Sequence, residues 1–364
     1  MMRLPQIDAS LPLLLSGRPL IDLRAPIEFA AGAFPQAINL PLMSDAERAA
    51  VGTCYVQHGQ AAAIALGHQL VSGQTRQQRL ACWLAQHQAA PDSVLYCLRG
   101  GLRSQTVQQW LAEAGVVMPR VRGGYKALRR CLIEQQASFL QQNPLCIVTG
   151  MTGSGKTELL ADLPLAVDLE HHARHRGSSF GALPEPQPAN VDFENALALD
   201  LLRPRHSGWR ILEDESRMIG RCTLPLDLFE AMQAAPLLVL ECPLAERVQR
   251  IRRDYVDGMI RRWQAALGSH ALACEQVATQ LRAALSRLEK RLGGLVYRQL
   301  QAMMEEGFAL QQQQGDSQGH ALWIQRLLVE YYDPVYLRQL ERRPNQRLFS
   351  GDAVACRHFL QQLG

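Results

Sequence analysis

"IVTGMTGSGKTELL", residues 147–160, is the stretch on which the fold turns. An apolar run ends at Gly150, and after four residues come Gly155, Lys156 and Thr157, followed by the helix-forming Glu158, Leu159 and Leu160. A strand that breaks into a glycine loop and re-enters a helix aims successive backbone N–H groups, and the positive end of the helix, at one point in space. That point suits a polyphosphate. Gly150, Gly153, Ser154 and Gly155 give the loop its close approach, Lys156 neutralises a diphosphate, and the Thr157 hydroxyl is a candidate Mg²⁺ ligand.

Working outward, "LAVDLE" (165–170), "WRILEDE" (209–215) and "PLLVLEC" (236–242) are short apolar runs separated by helical stretches, so a parallel α/β sheet is predicted around the loop. The second run ends in Glu213, Asp214 and Glu215, and strand alternation puts Glu213 and Glu215 on one face and Asp214 on the other. Asp214 is the candidate metal partner of Thr157. In "DLEHHARHRGSSFG" (168–181), His171 and His172 are adjacent and no cysteine is near, which fits no usual zinc site. Arg174, His175, Arg176 and Ser178 then form either a second anion or substrate loop or a merely exposed polar one. From Leu244 to about residue 312 the pattern is helical, with Val248, Ile251 and Tyr255, then Val277, Leu281, Leu285, Leu288 and Leu292, spaced by three and four toward a core. Arg247, Arg250, Arg252, Arg253, Arg261 and Arg262 accompany the first of these helices as candidates for phosphate contact. "QQQQGDSQG" (311–319) interrupts the helices, and "LLVEYYDPVYLRQLERR" (327–343) resumes them.

The N-terminal third repeats the alternation. "PLIDLR" (19–24), "AINLPL" (37–42), "SVLYCL" (93–98) and "VVMPRVRGG" (116–124) read as strands of a separate small α/β sheet. Within it, "YCLRGGLRS" (96–104) puts Cys97 at a strand end, Gly100 and Gly101 in a loop, and Ser104 at the opening of a helix. Amides and helix dipole together favour a thiolate there, with Arg99 and Arg103 available to an oxyanion. The chain has nine cysteines and no C-x-x-C pair, so most are expected to be reduced core residues.

At 364 residues and 47% hydrophobic, the chain has material for two cores. No apolar run reaches the about 18 residues of a membrane span, and Pro5, Asp8 and Pro12 break the N-terminal stretch where a signal peptide needs continuity; a cytoplasmic protein without a membrane partner is expected. Residues 1–143 hold 12 Arg and 1 Lys against 8 acidic groups, or +5 of the total +4, leaving −1 for the remainder. Part of that excess lies in "PRVRGGYKALRR" (119–130), where Arg120, Arg122, Lys126, Arg129 and Arg130 surround Tyr125, either as a solvated helix face or as a candidate RNA surface of phosphate contacts and base stacking.

"LIDLRAPIEFAAGAFPQAINLPL" (20–42) and "AGVVMPRVRGGYKAL" (114–128) resemble the rhodanese family of sulfurtransferases over roughly residues 8–130, which implies that Cys97 handles a chalcogen. The loop is longer than in most of that family, with five residues before Arg103, and should hold a larger anion; Cys-x5-Arg-Ser is also similar to the cysteine phosphatases. Taken together, "CLRGGLRS" (97–104), "GMTGSGKT" (150–157), "HRGSSFG" (175–181), "EDESR" (213–217) and "YYDPVY" (331–336) resemble the tRNA 2-selenouridine synthase family across nearly the whole chain.

That resemblance implies an α/β protein with an N-terminal rhodanese-like parallel-sheet domain (1–134) and a C-terminal P-loop NTPase-like α/β domain (143–364) carrying a Walker A loop and a long helical extension. It implies a bacterial transferase that converts wobble 2-thiouridine to 2-selenouridine through S-geranyl-2-thiouridine. Geranyl diphosphate and selenophosphate are its co-substrates, no tightly bound cofactor is expected, and the acceptors are the tRNAs for Lys, Glu and Gln. Cys97, with Arg99 and Arg103, would receive or position selenium. The competing readings are a cysteine-dependent phosphatase or sulfurtransferase coupled to a nucleotide-binding domain, and an RNA-binding adaptor.

Overall fold

The computed structural model describes residues 4–363, which divide into two compact units. The first comprises residues up to Phe139 together with Ala189–Arg203; the second comprises Leu140–Pro188 and the chain from Pro204 onward. The contiguous division expected from the sequence, 1–134 and 143–364, therefore misses one excursion. The helix Asn190–Leu202 belongs to the first unit because Ala198, Leu199 and Leu202 join its core, beside Leu20, Phe34, Val94 and Leu128.

The first unit is built on β1 (Gln6–Ile7), β2 (Leu20–Asp22), β3 (Ala37–Asn39), β4 (Val94–Tyr96) and β5 (Arg120–Val121), in the order β1-β5-β4-β2-β3 and parallel throughout. Val94, Leu95 and Tyr96 are all buried, as parallel strands covered on both faces must be. Leu20, Val94 and Tyr96 face the helices Gly124–Gln142 and Asn190–Leu202, while Ile21, Leu95 and Cys97 face Trp83, Val107 and Leu111. A long helical excursion, Asp45–Leu70 and Gly73–Ala89, separates β3 from β4.

In the second unit β6 (Leu145–Thr149), β7 (Ala166–Val167), β8 (Arg210–Glu213), β11 (Leu237–Leu240) and β12 (Arg347–Gly351) form a parallel sheet ordered β12-β11-β6-β8-β7. A hairpin of β9 (Met218–Ile219) and β10 (Cys222–Thr223) stands apart. β6 is central, with β8 on one side and β11 on the other, and a crevice beyond the carboxyl ends of strands at such a reversal is where α/β sheets hold ligands. The helical extension has its own core, in which Val248, Val277, Leu281, Leu285 and Leu288 are buried against Trp323 and Leu327. Among the described residues no helix is long and apolar enough to cross a membrane.

Candidate functional site

The glycine loop leaves the end of β6 and re-enters a helix at Lys156–Leu160. Gly153 and Gly155 have φ of +80° and +92°, which a side chain would strain, and a Cβ on Gly155 would stand 3.0 Å from the Arg250 guanidinium. The helix Leu244–Arg252 braces this loop from outside. Arg250 Nη1 donates to the Gly153 carbonyl at 2.8 Å, and Arg247 Nη1 to that of Thr152 at 3.3 Å. Arg247 is buried and forks onto both Asp333 oxygens at 2.7 Å, so the Asp of "YYDPVY" holds the brace rather than the ligand. The Thr152 and Gly153 carbonyls are thus tied outward, while Ser154 N closes the loop on the Met151 carbonyl at 3.0 Å. Lys156 Nζ donates to the Gly150 carbonyl at 3.1 Å, and the buried Ser154 hydroxyl has no hydrogen-bond partner among the described residues.

The acidic residues differ from expectation. Asp214 accepts from the Thr149 hydroxyl at 2.7 Å and from Arg343 at 2.5 Å, and is thereby committed to the framework. Glu213 and Glu215, on the opposite face as alternation requires, meet Glu170, and the carboxylate oxygens of the three lie within 4.8 Å of one another. The Thr157 hydroxyl is 3.5 Å from Glu170. Burial, and then mutual repulsion, pushes all three carboxyls well above the usual carboxylate range, while Lys156 pulls them back. Glu213 is 1% exposed and neither oxygen has a full hydrogen bond among the described residues, although Thr157 approaches it. Three hard oxygen donors beside a diphosphate cradle fit Mg²⁺, with the Glu trio rather than Asp214 beside Thr157. The signal for Glu170 was an acidic residue in the first helical turn after a strand, in "DLE", masked by the histidines that follow.

These groups line one cleft of about 1310 Å³. The second loop opens onto it too. Arg174, at φ +49°, ends the helix Leu169–Ala173, and Arg176 pairs with Asp254 at 3.3 Å and lies 5.4 Å above the Tyr255 ring. The Ser178 and Tyr255 hydroxyls are 3.4 Å apart, and a Cβ on Gly177 would run into the Glu215 carboxylate. Burial holds His175 below its ordinary pKa. Facing the phosphate end stand Tyr255, Tyr331, Tyr332, Val335 and Tyr336, an aromatic wall from the helical extension that sequence reading had assigned to the core or left without a role.

In the first unit Cys97 follows β4, and a helix starts at Leu102, as expected. The loop, however, is closed. Cys97 is 3% exposed, packs among Ile21, Leu95, Val107 and Leu111, and its Sγ is 3.3 Å from the Ser104 hydroxyl. Two glycine turns interlock over it. The Cys97 and Leu98 carbonyls accept from Tyr125 N at 2.9 Å and Lys126 N at 3.1 Å, and a Cβ on Gly100 would stand 2.7 Å from Gly123 N. Arg99 is exposed and Gly101 half-buried. Arg103 turns away from the loop and forks onto Glu28 at 2.5 and 3.2 Å, which holds that carboxyl below its ordinary range against the effect of burial.

The expected tRNA surface on residues 119–130 is dispersed. Arg120 points inward from β5; Arg129 bonds Asn195 at 2.8 Å and pairs with Glu194; Tyr125 lies under Arg24, 3.8 Å from its guanidinium carbon. Arg122, Lys126 and Arg130 remain exposed, Arg122 paired with Asp8 at 3.0 Å.

Residues 143–363 match the family model described as "tRNA 2-selenouridine synthase AAA domain". Among curated proteins the chain is 51% identical to a tRNA 2-selenouridine synthase of Aeromonas salmonicida over all of this chain and 98% of the relative. It is 52% identical to that of Cupriavidus necator over 96% of this chain and 95% of the relative, and 51% identical to that of Hahella chejuensis over 96% and 92%.

Proposed function

The chain belongs to the tRNA 2-selenouridine synthase family of tRNA-modifying enzymes, and on that premise we propose that its two sites act in succession on wobble 2-thiouridine. Geranyl diphosphate is used at the Lys156 loop and selenophosphate at the Cys97 loop. In the first step the thiocarbonyl sulfur attacks C1 of geranyl diphosphate, the C1–O bond breaks, diphosphate departs, and the base loses its N3 proton. In the second, selenium attacks C2, the C2–S bond breaks and geranylthiol leaves, while water takes the phosphoryl group to give phosphate. Alkylation comes first for a physical reason: a thiocarbonyl sulfur is a poor leaving group and a thioether sulfur a better one. Selenium stays at the selenide level throughout, so no oxidant enters, and of the two roles open to Cys97, receiving selenium or positioning it, positioning balances.

The observation that carries the reading is the make-up of the second unit's cleft. Lys156 and the amides of Gly150–Gly155 meet the requirements of a departing diphosphate, and the wall of Tyr255, Tyr331, Tyr332, Val335 and Tyr336 those of an apolar chain and a base. Glu170, Glu213 and Glu215 would hold Mg²⁺, which when bound supplies positive charge beside the diphosphate. Arg174, Arg176 and Ser178 line the same space and would orient the tRNA phosphates or the diphosphate. The first unit, read as rhodanese-like from its parallel order and the cysteine at its strand end, presents selenium once the closed Leu98–Gly101 loop has moved. The acceptors are the tRNAs for Lys, Glu and Gln, and the site of action is the cytoplasm.

Incubating the purified protein with thiolated tRNA, geranyl diphosphate and selenophosphate, omitting each in turn, tests this. Without selenophosphate the nucleosides should stop at S-geranyl-2-thiouridine, and without geranyl diphosphate at 2-thiouridine. Selenation that proceeds without geranyl diphosphate would overturn the two-step order.

A further inference from the structure

The first unit buries two arginines against its sheet, and they are treated differently. Arg24, 3% exposed, forks onto Asp22, which also accepts from the Tyr96 hydroxyl at 2.7 Å. Arg120 is 8% exposed and reaches only neutral groups: Nη1 donates to the Gly100 carbonyl at 2.6 Å and Nε to Gln108 Oε1 at 3.1 Å. Gln108 is itself fixed by the carbonyls of Pro5 and Met118, at 2.7 and 2.8 Å. Among the described residues no carboxylate pairs with Arg120; burial chiefly holds its pKa below the ordinary value, with nearby Cys97 opposing and the exposed Arg122 adding to the effect. A guanidinium in such a place is costly unless an anion accompanies it.

The ionisable partner at hand is the thiol. Cys97 packs between the sheet and the helix Leu102–Glu113; Arg120 reaches the same helix through Gln108 and holds the carbonyl of the loop that covers the sulfur. Of the two cations that the loop sequence offers, Arg99 is exposed and Arg103 is already neutralised by Glu28.

We propose that Arg120 is the buried counter-charge of the Cys97 loop, a positioning residue that stabilises the Cys97 thiolate and fixes the loop above it. On ionisation the S–H bond breaks, its electron pair stays on Sγ and the proton passes to solvent base; the buried cation then gains the anion it lacks. The proposal rests on Cys97 being the group that positions selenium in this unit. Its test is independent of selenation, so failure of one does not imply failure of the other.

The measurement is the rate of alkylation of Cys97 by iodoacetamide across about pH 6 to 10, read peptide by peptide in the full chain so that the other cysteines do not interfere. Arg120→Gln should move the midpoint of the profile up by about one unit or more, and so slow alkylation roughly tenfold below it. Arg120→Lys, which keeps the charge, should largely restore the midpoint, and Arg103→Gln should leave it near the parent value. An unchanged midpoint in Arg120→Gln, or a shift with Arg103→Gln instead, overturns the proposal. Should Arg120→Gln not fold, the unmodified protein decides. A buried partner charge is little screened, so the midpoint should hold within a few tenths of a unit between about 0.05 and 1 M KCl, and a shift of a full unit would assign the effect to exposed cations.

Discussion

Glu213 ends its strand fully buried, facing two further carboxyls, and its proton is the term that decides its effect on stability. Its folded pKa is raised to about 8, chiefly by burial and then by Glu170, against an unfolded value of 4.5. A raised carboxyl favours the folded state below the unfolded pKa, and that advantage is lost as pH climbs through the window from 4.5 to about 8. Glu213→Gln removes the ionisation with little change of shape. Denaturant unfolding without metal should find the variant more stable than the parent by about 1 kcal/mol or more at pH 8, with the difference shrinking toward pH 5. Equal differences at both pH values would contradict the assigned environment. Strand alternation predicted which carboxylates share a face; it could not tell which face meets Glu170, because Arg343, the group that claims Asp214, lies far along the chain.

The glycine loop, as an element, takes its shape from a helix that follows it by nearly a hundred residues. Arg247 is 2% exposed and Asp333 is its carboxylate partner, so Asp333→Ala leaves a buried cation unpaired. The change should cost about 3 kcal/mol in urea unfolding. A loss below about 1 kcal/mol would mean that the brace is not structural. The loop itself was legible because strand, glycines, Lys156 and helix are local in sequence. Its brace was not, since a helical arginine that bonds a distant carbonyl has the same spacing as one facing solvent. The same limit explains Arg120 and Arg129: the sequence shows a basic cluster, and only packing separates the inward-facing side chains from Arg122, Lys126 and Arg130. Strands β2 to β8 and β11 lie within apolar runs readable from the sequence. The two-residue β1 and the half-exposed β12 were not readable, because the first is too short and the second too exposed to show an apolar pattern.

At the scale of the whole molecule, two α/β sheets were expected and two are present, but the chain does not finish the first before starting the second. After β7 it returns Asn190–Leu202 to the first unit, where Asn195 donates to the Ala33 carbonyl at 2.7 Å and Asp192 accepts from Ala33 N at 2.6 Å. A helix with a general apolar composition carries no mark of which sheet it will cover, so this was beyond the reach of pattern reading. The division of labour between the units is the centre of the account, and nucleoside mass analysis of Cys97→Ala and Lys156→Ala proteins given thiolated tRNA, geranyl diphosphate and selenophosphate tests it most directly. Cys97→Ala should accumulate S-geranyl-2-thiouridine with 2-selenouridine reduced about a hundredfold, a loss of the size that misplacing a reacting atom brings, while Lys156→Ala should leave mostly 2-thiouridine. Normal selenation by Cys97→Ala, or the same stalled nucleoside from both variants, would contradict it.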